Sequence, residues 1–518
     1  MSNYDYSQSL PSWLLNRSSG VLLHPTALPG QHGIGSLGAE AMRFVDFLES
    51  AGFTYWQTCP LGPTGFGDSP YQVFCSSAGN PYLIDWNPVL ESGLIDISDL
   101  SILKNLPDHR VDYGALYKCF YHVARVAFSN FRANRNTLES KYGNFDQFIN
   151  RYSWLKSYAV FQSFKSANNN DPWWLWNSEF KKSINLDDLN SAILDEVNFH
   201  CFLQYLFFGQ WLKLKKYANQ RGIFILGDLP IYAAPDSSDV WAHQNLFEIN
   251  HRNSVFENVA GVPPDYFNQE GQLWGNPLYN WDEHEKDDFS WWVDRLSAQI
   301  EIFDVVRIDH FRAFHDYWSI PSSSGNAKMG TWKPGPGIRF WNKINELFPD
   351  RPFLAEDLGL ITDEVRLLRD QAGLPGMAVL QFAFDGDPEN LYLPHNLAQN
   401  LVLYLGTHDN DTASGWYDNA DEEIRGNFRS YLNVSGEFPA WDLIRFAYRT
   451  ISPLVMVPVQ DLLGLGSEAR FNCPGEAIGN WQWRMSHAQL ESLFESSKYL
   501  CEQAKISGRN KNESHEKG

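Results

Sequence analysis

The segment Val305-Val306-Arg307-Ile308-Asp309-His310 decides the fold class of this chain. It is an apolar run that ends abruptly in a carboxylate, and the runs at 225–228, 353–356 and 401–409 end in the same way. Continuous apolar runs of this length predict buried parallel strands. In a parallel barrel the carboxyl ends of all strands lie on one face, where catalytic residues are placed. The pattern therefore predicts a barrel on which carboxylates converge.

Eight apolar runs can be placed as barrel strands, with amphipathic helical patterns between several of them. Repeated alternation of strand and helix implies a parallel sheet, which we expect to be closed. The expected fold class is therefore α/β, a (β/α)8 TIM barrel. Its predicted strands are 20–24, 55–61, 222–228, 304–309, 353–356, 377–384, 401–407 and 454–460.

Two connections, 61–222 and 228–304, are far longer than the about 2–6 residues of a usual βα loop. Long insertions after barrel strands build the walls of an active site. The expected organisation is one catalytic barrel over 1–518, with an inserted helical subdomain at 86–200, an inserted active-site loop subdomain at 233–290 and a disordered tail at 508–518.

Composition restricts the partners and the compartment. The net charge is −21 and the pI is about 5.1, which argues against nucleic acid or an anionic membrane as a partner. The six cysteines have no CxxC spacing, which favours a reducing compartment. We find no signal peptide and no apolar stretch of membrane-spanning length, so a cytoplasmic location is expected. No residues have metal-ligand spacing, and we expect neither metal nor cofactor.

Arg307 and Asp309 share one face of their predicted strand, because side chains alternate along a strand. If that face is the barrel interior, the fixed cation keeps the Asp309 carboxylate ionised, as a nucleophile requires. The alternative is a purely structural Arg–Asp pair.

Two further carboxylates follow predicted strands. The apolar approach to Glu356 would raise its pKa and let it act as a general acid; the alternative is a carboxylate at a helix N-terminus. Asp409 lies between His408 and Asn410, where it would grip two sugar hydroxyls; the alternative is an Asp-Asn turn. The three acids together are typical of glycosidic bond chemistry.

The strings Asp68-Ser69-Pro70-Tyr71-Gln72 and Asp228-Leu229-Pro230 place Tyr71 and Asp228 near the same rim. Tyr71 would stack under a sugar ring, since the C–H face of a pyranose is apolar. The alternatives are turn chemistry for Pro70 and core packing for Tyr71.

Longer strings resemble a known family, the amylomaltases. These are the 4-α-glucanotransferases, or disproportionating enzymes, of glycoside hydrolase family 77. The resemblance covers about residues 20–484 and implies an α-amylase-like (β/α)8 barrel with inserted subdomains and no separate C-terminal β-domain. It is carried by HPTALPGQHGIGSLG (24–38), GDSPYQ (67–72), GDLPIY (227–232), GVPPDYFNQEGQLWGNPLYNW (261–281), VRIDHFR (306–312), AEDLG (355–359), GLPGMAVLQFAF (373–384), GTHDNDT (406–412) and EARFNCPG (468–475).

The resemblance implies roles for individual residues. Asp309 is expected to be the nucleophile, Glu356 the acid/base and Asp409 the third carboxylate, which orients and distorts the bound sugar. Segment 261–281 is similar to a flexible loop that closes over the glucan; the alternative is that its rings pack inside the insertion. The candidate substrate-binding residues are Ser69, Tyr71, Asp228, Tyr266, Trp274, Arg307, His310, His408 and Asn410.

The function expected from these features is transfer of α-1,4-glucan segments from a maltooligosaccharide or starch to an acceptor glucan or glucose. The mechanism would be a retaining double displacement. The nearest alternative is a retaining α-glucan hydrolase of the α-amylase type, which uses the same carboxylates. A catalytically silent glucan-binding protein is a third reading, but it would be expected to have lost one of the acids.

Overall fold

A computed structural model describes residues 10–65, 67–182, 189–250, 255–264, 269–476 and 478–510. Eight parallel strands form one sheet, and each overlaps a run that the sequence predicts as a strand. The (β/α)8 barrel is confirmed. In spatial order the strands are Phe353–Ala355, Val305–Asp309, Phe224–Pro230, Tyr55–Gln57, Ser18–Leu22, Leu454–Pro458, Leu401–Tyr404 and Gly376–Val379.

The sheet closes between its fifth strand along the chain, Phe353–Ala355, and its sixth, Gly376–Val379. The amide of Ala355 donates to the carbonyl of Pro375 at 2.9 Å. The carboxylate of Asp357 accepts from the amide of Met377 at 2.8 Å. These bonds join the two edges directly beside the carboxyl end of the fifth strand.

Large apolar side chains fill the barrel interior, as expected for a packed barrel core rather than a pore. A second, larger cluster lies between the strands and the outer helices. Because the strands are buried on both faces, their sequences are continuous apolar runs. The interior cluster consists of Leu14, Tyr55, Leu226, Val305, Leu354, Met377, Val379, Val402, Tyr404, Leu454 and Met456.

Outside the barrel strands, helices are the main regular structure of the described chain. The described helices are Ala39–Ser50, Asn87–Glu91, Tyr113–Ala133, Asn136–Tyr142, Phe145–Arg151, Ser153–Ala167, Ser191–Gln220, Ser238–Ala242, Trp281–Lys286, Ser290–Ile302, Gly337–Leu347, Asp363–Gln371, Ala413–Asn419, Glu422–Leu432, Pro439–Arg449, Val459–Leu462 and His487–Ile506. Of these, none is both long enough and apolar enough to cross a membrane.

The helical stretch between the second and third barrel strands does not end where the sequence places its boundary. The helix Ser191–Gln220 runs through position 200 and stops just before the third strand. It contacts both the inserted helix Ser153–Ala167 and the barrel. One helix therefore belongs to the insertion and to the outer layer of the barrel.

Two smaller sheets follow the third and fourth barrel strands. Four antiparallel strands pair in the order Thr331–Pro334, Asp316–Pro321, Asn258–Val262 and Gln272–Pro277, and Ile249–Asn250 pairs with Val255–Phe256. The predicted loop subdomain at 233–290 supplies only part of the larger sheet. Segment 316–334 adds two strands that the sequence did not indicate.

The predicted tail at 508–518 begins too early. Arg509 is 0% exposed, and of the predicted tail only residues 511–518 lie outside the described part of the chain. Its guanidinium lies at the C-terminal end of the helix Pro439–Arg449, where main-chain oxygens and the helix dipole favour a cation. It donates to the carbonyl oxygens of Ser18, Ala447, Tyr448, Thr450, Ser452 and Pro453.

Replacing Arg509 with alanine is expected to lower the free energy of unfolding by about 3 kcal/mol or more, since it removes a buried guanidinium that donates to six carbonyl oxygens. The measurement is the urea midpoint of the full chain. Arg449→Ala removes the same charge at an exposed position and should shift stability by less than about 0.5 kcal/mol. Equal effects of the two substitutions would contradict the structural role of Arg509.

Candidate active site

The centre of the site is an arginine between two carboxylates. Asp228 and Arg307 are register partners on neighbouring strands, and Asp309 follows Arg307 on the same face. The Nη1 of Arg307 lies 2.8 Å from Asp228 Oδ2 and 2.9 Å from Asp309 Oδ1. Arg307 is only 4% exposed, and the two carboxylates outweigh burial to raise its pKa. The alternation of the fourth strand therefore places a permanent cation beside Asp309.

Tyr71 joins this group from the loop after the second strand. Its hydroxyl donates to Asp228 Oδ2 at 2.7 Å, and its ring stacks on His408 with centroids 4.9 Å apart. The hydroxyl of Ser69 accepts from the amide of Tyr71 at 3.2 Å, which fixes the turn. Burial raises the pKa of Asp228 to about 6, and Asp309 adds to the effect against the charge of Arg307.

Glu356 lies just beyond the fifth strand and is held by main-chain donors. Its Oε2 accepts from the amide of His310 at 2.7 Å, and its Oε1 accepts from the amide of Leu358 at 2.9 Å. His310 has a left-handed backbone, with φ 55°. Burial raises the pKa of Glu356 to about 7, and Asp309 adds to the rise against the charge of Arg307. This carboxyl can therefore gain and lose a proton near neutral pH.

The pKa of Asp409 is shifted in the opposite direction from that of Glu356. Although burial opposes it, the charge and hydrogen bond of His408 and the hydrogen bond of Asn472 lower the pKa of Asp409 to about 2. His408 Nε2 lies 3.3 Å from Asp409 Oδ1, and Asn472 Nδ2 donates to the same oxygen at 2.5 Å. The site thus holds both a carboxylate that stays ionised and a carboxyl that can hold a proton near neutral pH.

Sequence reasoning missed the two residues that hold Asp409 from the loop after the eighth strand. Besides Asn472, Arg470 donates from Nη2 to the carbonyl of Asp409 at 2.7 Å and from Nε to the carbonyl of Asn472 at 2.8 Å. Both lie in the string EARFNCPG, which supported the resemblance without suggesting a role. Their partner is about sixty residues away along the chain, so no local spacing indicates the contact.

The remaining candidate substrate-binding residues differ in what they contact. Trp274 places its ring edge-on to His310, with centroids 4.8 Å apart. The side-chain oxygen of Asn410 accepts from the amide and the hydroxyl of Thr407 at 2.9 and 2.8 Å, so it closes the turn that carries Asp409. Tyr266 lies outside the described residues.

Within the described ranges, no group of three or more His, Cys, Asp or Glu side chains is arranged to hold a metal ion. The chemistry offered is that of carboxyl groups and one arginine. A closed α/β barrel with an ionised acid, a proton-holding acid and an arginine-paired aspartate at its strand ends defines the class of enzymes that act on glycosidic bonds.

Comparison with known proteins identifies the family within this class. Residues 23–490 match the family model described as 4-alpha-glucanotransferase. The chain is 47% identical over 487 residues to the 4-alpha-glucanotransferase of Thermus thermophilus, covering 92% of this chain and 96% of that protein. The enzyme of the same name from Synechocystis sp. is 44% identical over 480 residues, with 92% and 95% covered.

A solved structure agrees with the sequence comparisons. The amylomaltase from Streptococcus agalactiae in complex with acarbose superposes with a TM-score of 0.90 at 36% identity, covering 95% of this chain and 100% of that one. The chain belongs to the 4-alpha-glucanotransferase family, glycoside hydrolase family 77.

Proposed function

We propose that the protein transfers α-1,4-glucan segments from a maltooligosaccharide or starch donor to the 4-hydroxyl of an acceptor glucan or glucose. The observation that carries the proposal is the pairing of Asp309 with Arg307 next to Glu356, whose pKa is raised to about 7. The related enzymes of Thermus thermophilus and Synechocystis sp. are 4-alpha-glucanotransferases, which supports transfer rather than hydrolysis.

The first half of the reaction breaks the donor bond. Asp309 attacks the anomeric carbon, and Glu356 gives its proton to the departing glycosidic oxygen. The product is a β-glycosyl ester on Asp309 and a shortened glucan with a free 4-hydroxyl. Arg307 supports the attack by holding the Asp309 carboxylate in an ion pair until the new bond forms.

The second half makes the new bond. Glu356, now a carboxylate, takes the proton from the 4-hydroxyl of the acceptor, which attacks the anomeric carbon and releases Asp309. Two inversions give net retention of the α configuration. Asp409 stays ionised throughout and would accept hydrogen bonds from two hydroxyls of the reacting sugar. Tyr71 and His408 would line the position of that sugar.

Transfer requires that the acceptor glucan outcompete water. Trp274 lies on the strand Gln272–Pro277 in contact with His310, and from there it would shield the reacting centre. A shielded site that positions a sugar hydroxyl favours transfer by proximity and by excluding water. The hydrolase alternative uses the same carboxylates and lacks only this preference.

The same proposal includes the setting in which the enzyme works. A net charge of −21 suits a neutral glucan and disfavours a nucleic acid. All six cysteines are free thiols, which supports a cytoplasmic location.

Incubation with maltotriose alone is expected to yield glucose together with a ladder of longer maltooligosaccharides. Transfer conserves the number of reducing ends, because each bond broken is replaced by one formed. Chromatography of the products and a reducing-end assay measure both quantities. A steady rise in reducing ends without longer products would identify a hydrolase instead.

A further inference from the structure

Trp332 is a large aromatic side chain left partly open to solvent on the antiparallel sheet. It is 40% exposed, although two neighbours fix its ring. The guanidinium carbon of Arg312 lies 3.9 Å from the ring centroid, and the ring of Trp318 meets it edge-on with centroids 5.1 Å apart. The ring is therefore held in place by its neighbours while part of its surface stays free.

The sheet register extends this surface across neighbouring strands. Trp332 is opposite Trp318, Trp318 is opposite Gly261, and Gly261 is opposite Leu273. Directly paired residues of antiparallel strands place their side chains on the same face. Leu273, at the far end of this row, is 41% exposed. An exposed apolar band thus runs along this face of the sheet, and we call it the tryptophan platform.

The tryptophan platform is tied to the loops that carry the catalytic groups. Arg312, on which Trp332 rests, follows His310 by two residues and donates to the carbonyl of Leu360, four residues after Glu356. The Nε of Arg312 lies 2.9 Å from Asp316 Oδ1, which fixes the guanidinium in place. The platform therefore borders the segment that presents Glu356.

The position of the tryptophan platform beside the Glu356 segment indicates which ligand the platform would contact. In the proposed reaction Glu356 protonates the departing oxygen and deprotonates the incoming hydroxyl, so the leaving glucan and the acceptor occupy its side of the cleft. A glucan long enough to leave the cleft on that side would pass over the platform. The apolar C–H face of a glucose unit suits an exposed tryptophan ring.

We propose that Trp332, backed by Trp318, binds a glucose unit of a long α-1,4-glucan outside the catalytic centre, on the side of the leaving group and the acceptor. This inference rests on the proposed function, because that function assigns Glu356 to this side. The occupant is a glucan because the family to which the chain belongs transfers glucan, and because the platform is continuous with the loops around Glu356.

Trp332→Ala is expected to lower kcat/KM for amylose about tenfold, the loss of one stacked ring, and to lower kcat/KM for maltotriose less than twofold. Trp332→Phe keeps a ring and should recover most of the loss. Tyr499→Ala removes an aromatic ring of similar exposure (38%) from the helix His487–Ile506 and serves as the matched control. Thermal unfolding of each variant checks that the fold is kept.

Retardation of each variant in a gel containing amylose measures glucan binding without turnover. Weaker retardation of Trp332→Ala than of the control supports the platform. Unchanged kcat/KM for amylose, or an equal loss for amylose and maltotriose, would overturn it, the second because the effect then acts through Arg312 on the catalytic loops. A wild-type chain that binds amylose at Trp332 but only hydrolyses would contradict the proposed function and leave the platform intact.

Discussion

Asp309→Asn is expected to reduce the turnover of maltotriose by a factor on the order of 10⁴–10⁶, the loss found when a catalytic nucleophile is removed. An amide is too weak a nucleophile to attack the anomeric carbon. It also leaves Arg307 with only one of its two carboxylate partners, Asp228. The rate of glucose release from maltotriose measures the effect.

The control for this substitution is Asp363→Asn, which removes an exposed carboxylate at the start of the helix Asp363–Gln371. It should change turnover by less than twofold. A second measurement locates the covalent bond directly: a fluorinated glucosyl donor that stalls the wild-type enzyme should leave its sugar on Asp309, found by mass spectrometry of the digested protein. An adduct on another residue, or substantial turnover by Asp309→Asn, would reject this nucleophile.

The barrel could be predicted because its strands are buried on both faces. Burial on both faces produces runs such as Leu454–Pro458, in which every residue is buried. The predicted ends were less accurate, because apolar residues continue into buried loops. The run predicted at 377–384 leaves the sheet after Val379 and continues as the short helix Leu380–Phe382.

Features that depend on distant partners could not be predicted. Arg509 looks like part of a polar tail until the carbonyl groups around it are known. The strand Thr331–Pro334 is mostly exposed and Asp316–Pro321 is only partly buried, so they lack the apolar signature of the barrel strands. Asn472 and Asp409 lie about sixty residues apart in the sequence, and only the folded chain brings them into contact.

The candidate site likewise contains features that the sequence predicts and features that it does not. Alternation along one strand was enough to place Arg307 beside Asp309, and an apolar approach was enough to predict a raised pKa for Glu356. The roles of the three acids came from the resemblance and stay proposals. For Asn410 the turn alternative describes the contacts of its side-chain oxygen.

The pKa of Glu356 leads to a prediction about pH. Because burial raises this pKa to about 7, the carboxyl is protonated below neutral pH and loses its proton as the pH rises through about 7. Turnover of maltotriose should therefore fall above about pH 7, since the departing oxygen needs that proton. Asp409, with a pKa of about 2, stays ionised at every pH near and above neutral and adds no change in turnover there.

Glu356→Gln is expected to lower turnover of maltotriose by about 10²–10⁴-fold, the usual contribution of a general acid. An α-glucosyl fluoride, whose fluoride leaves without a proton, should still glycosylate Asp309 at close to the wild-type rate. Azide attacks without needing a base, so adding it should restore release of the sugar as an α-glucosyl azide. With both reagents the fall in rate above pH 7 should disappear, because no step then uses Glu356.

If Glu356→Gln slows the reaction of the fluoride as severely as that of maltotriose, Glu356 does not act by proton transfer. Its contribution would then come from its bonds to the amides of His310 and Leu358, which hold the two catalytic loops together.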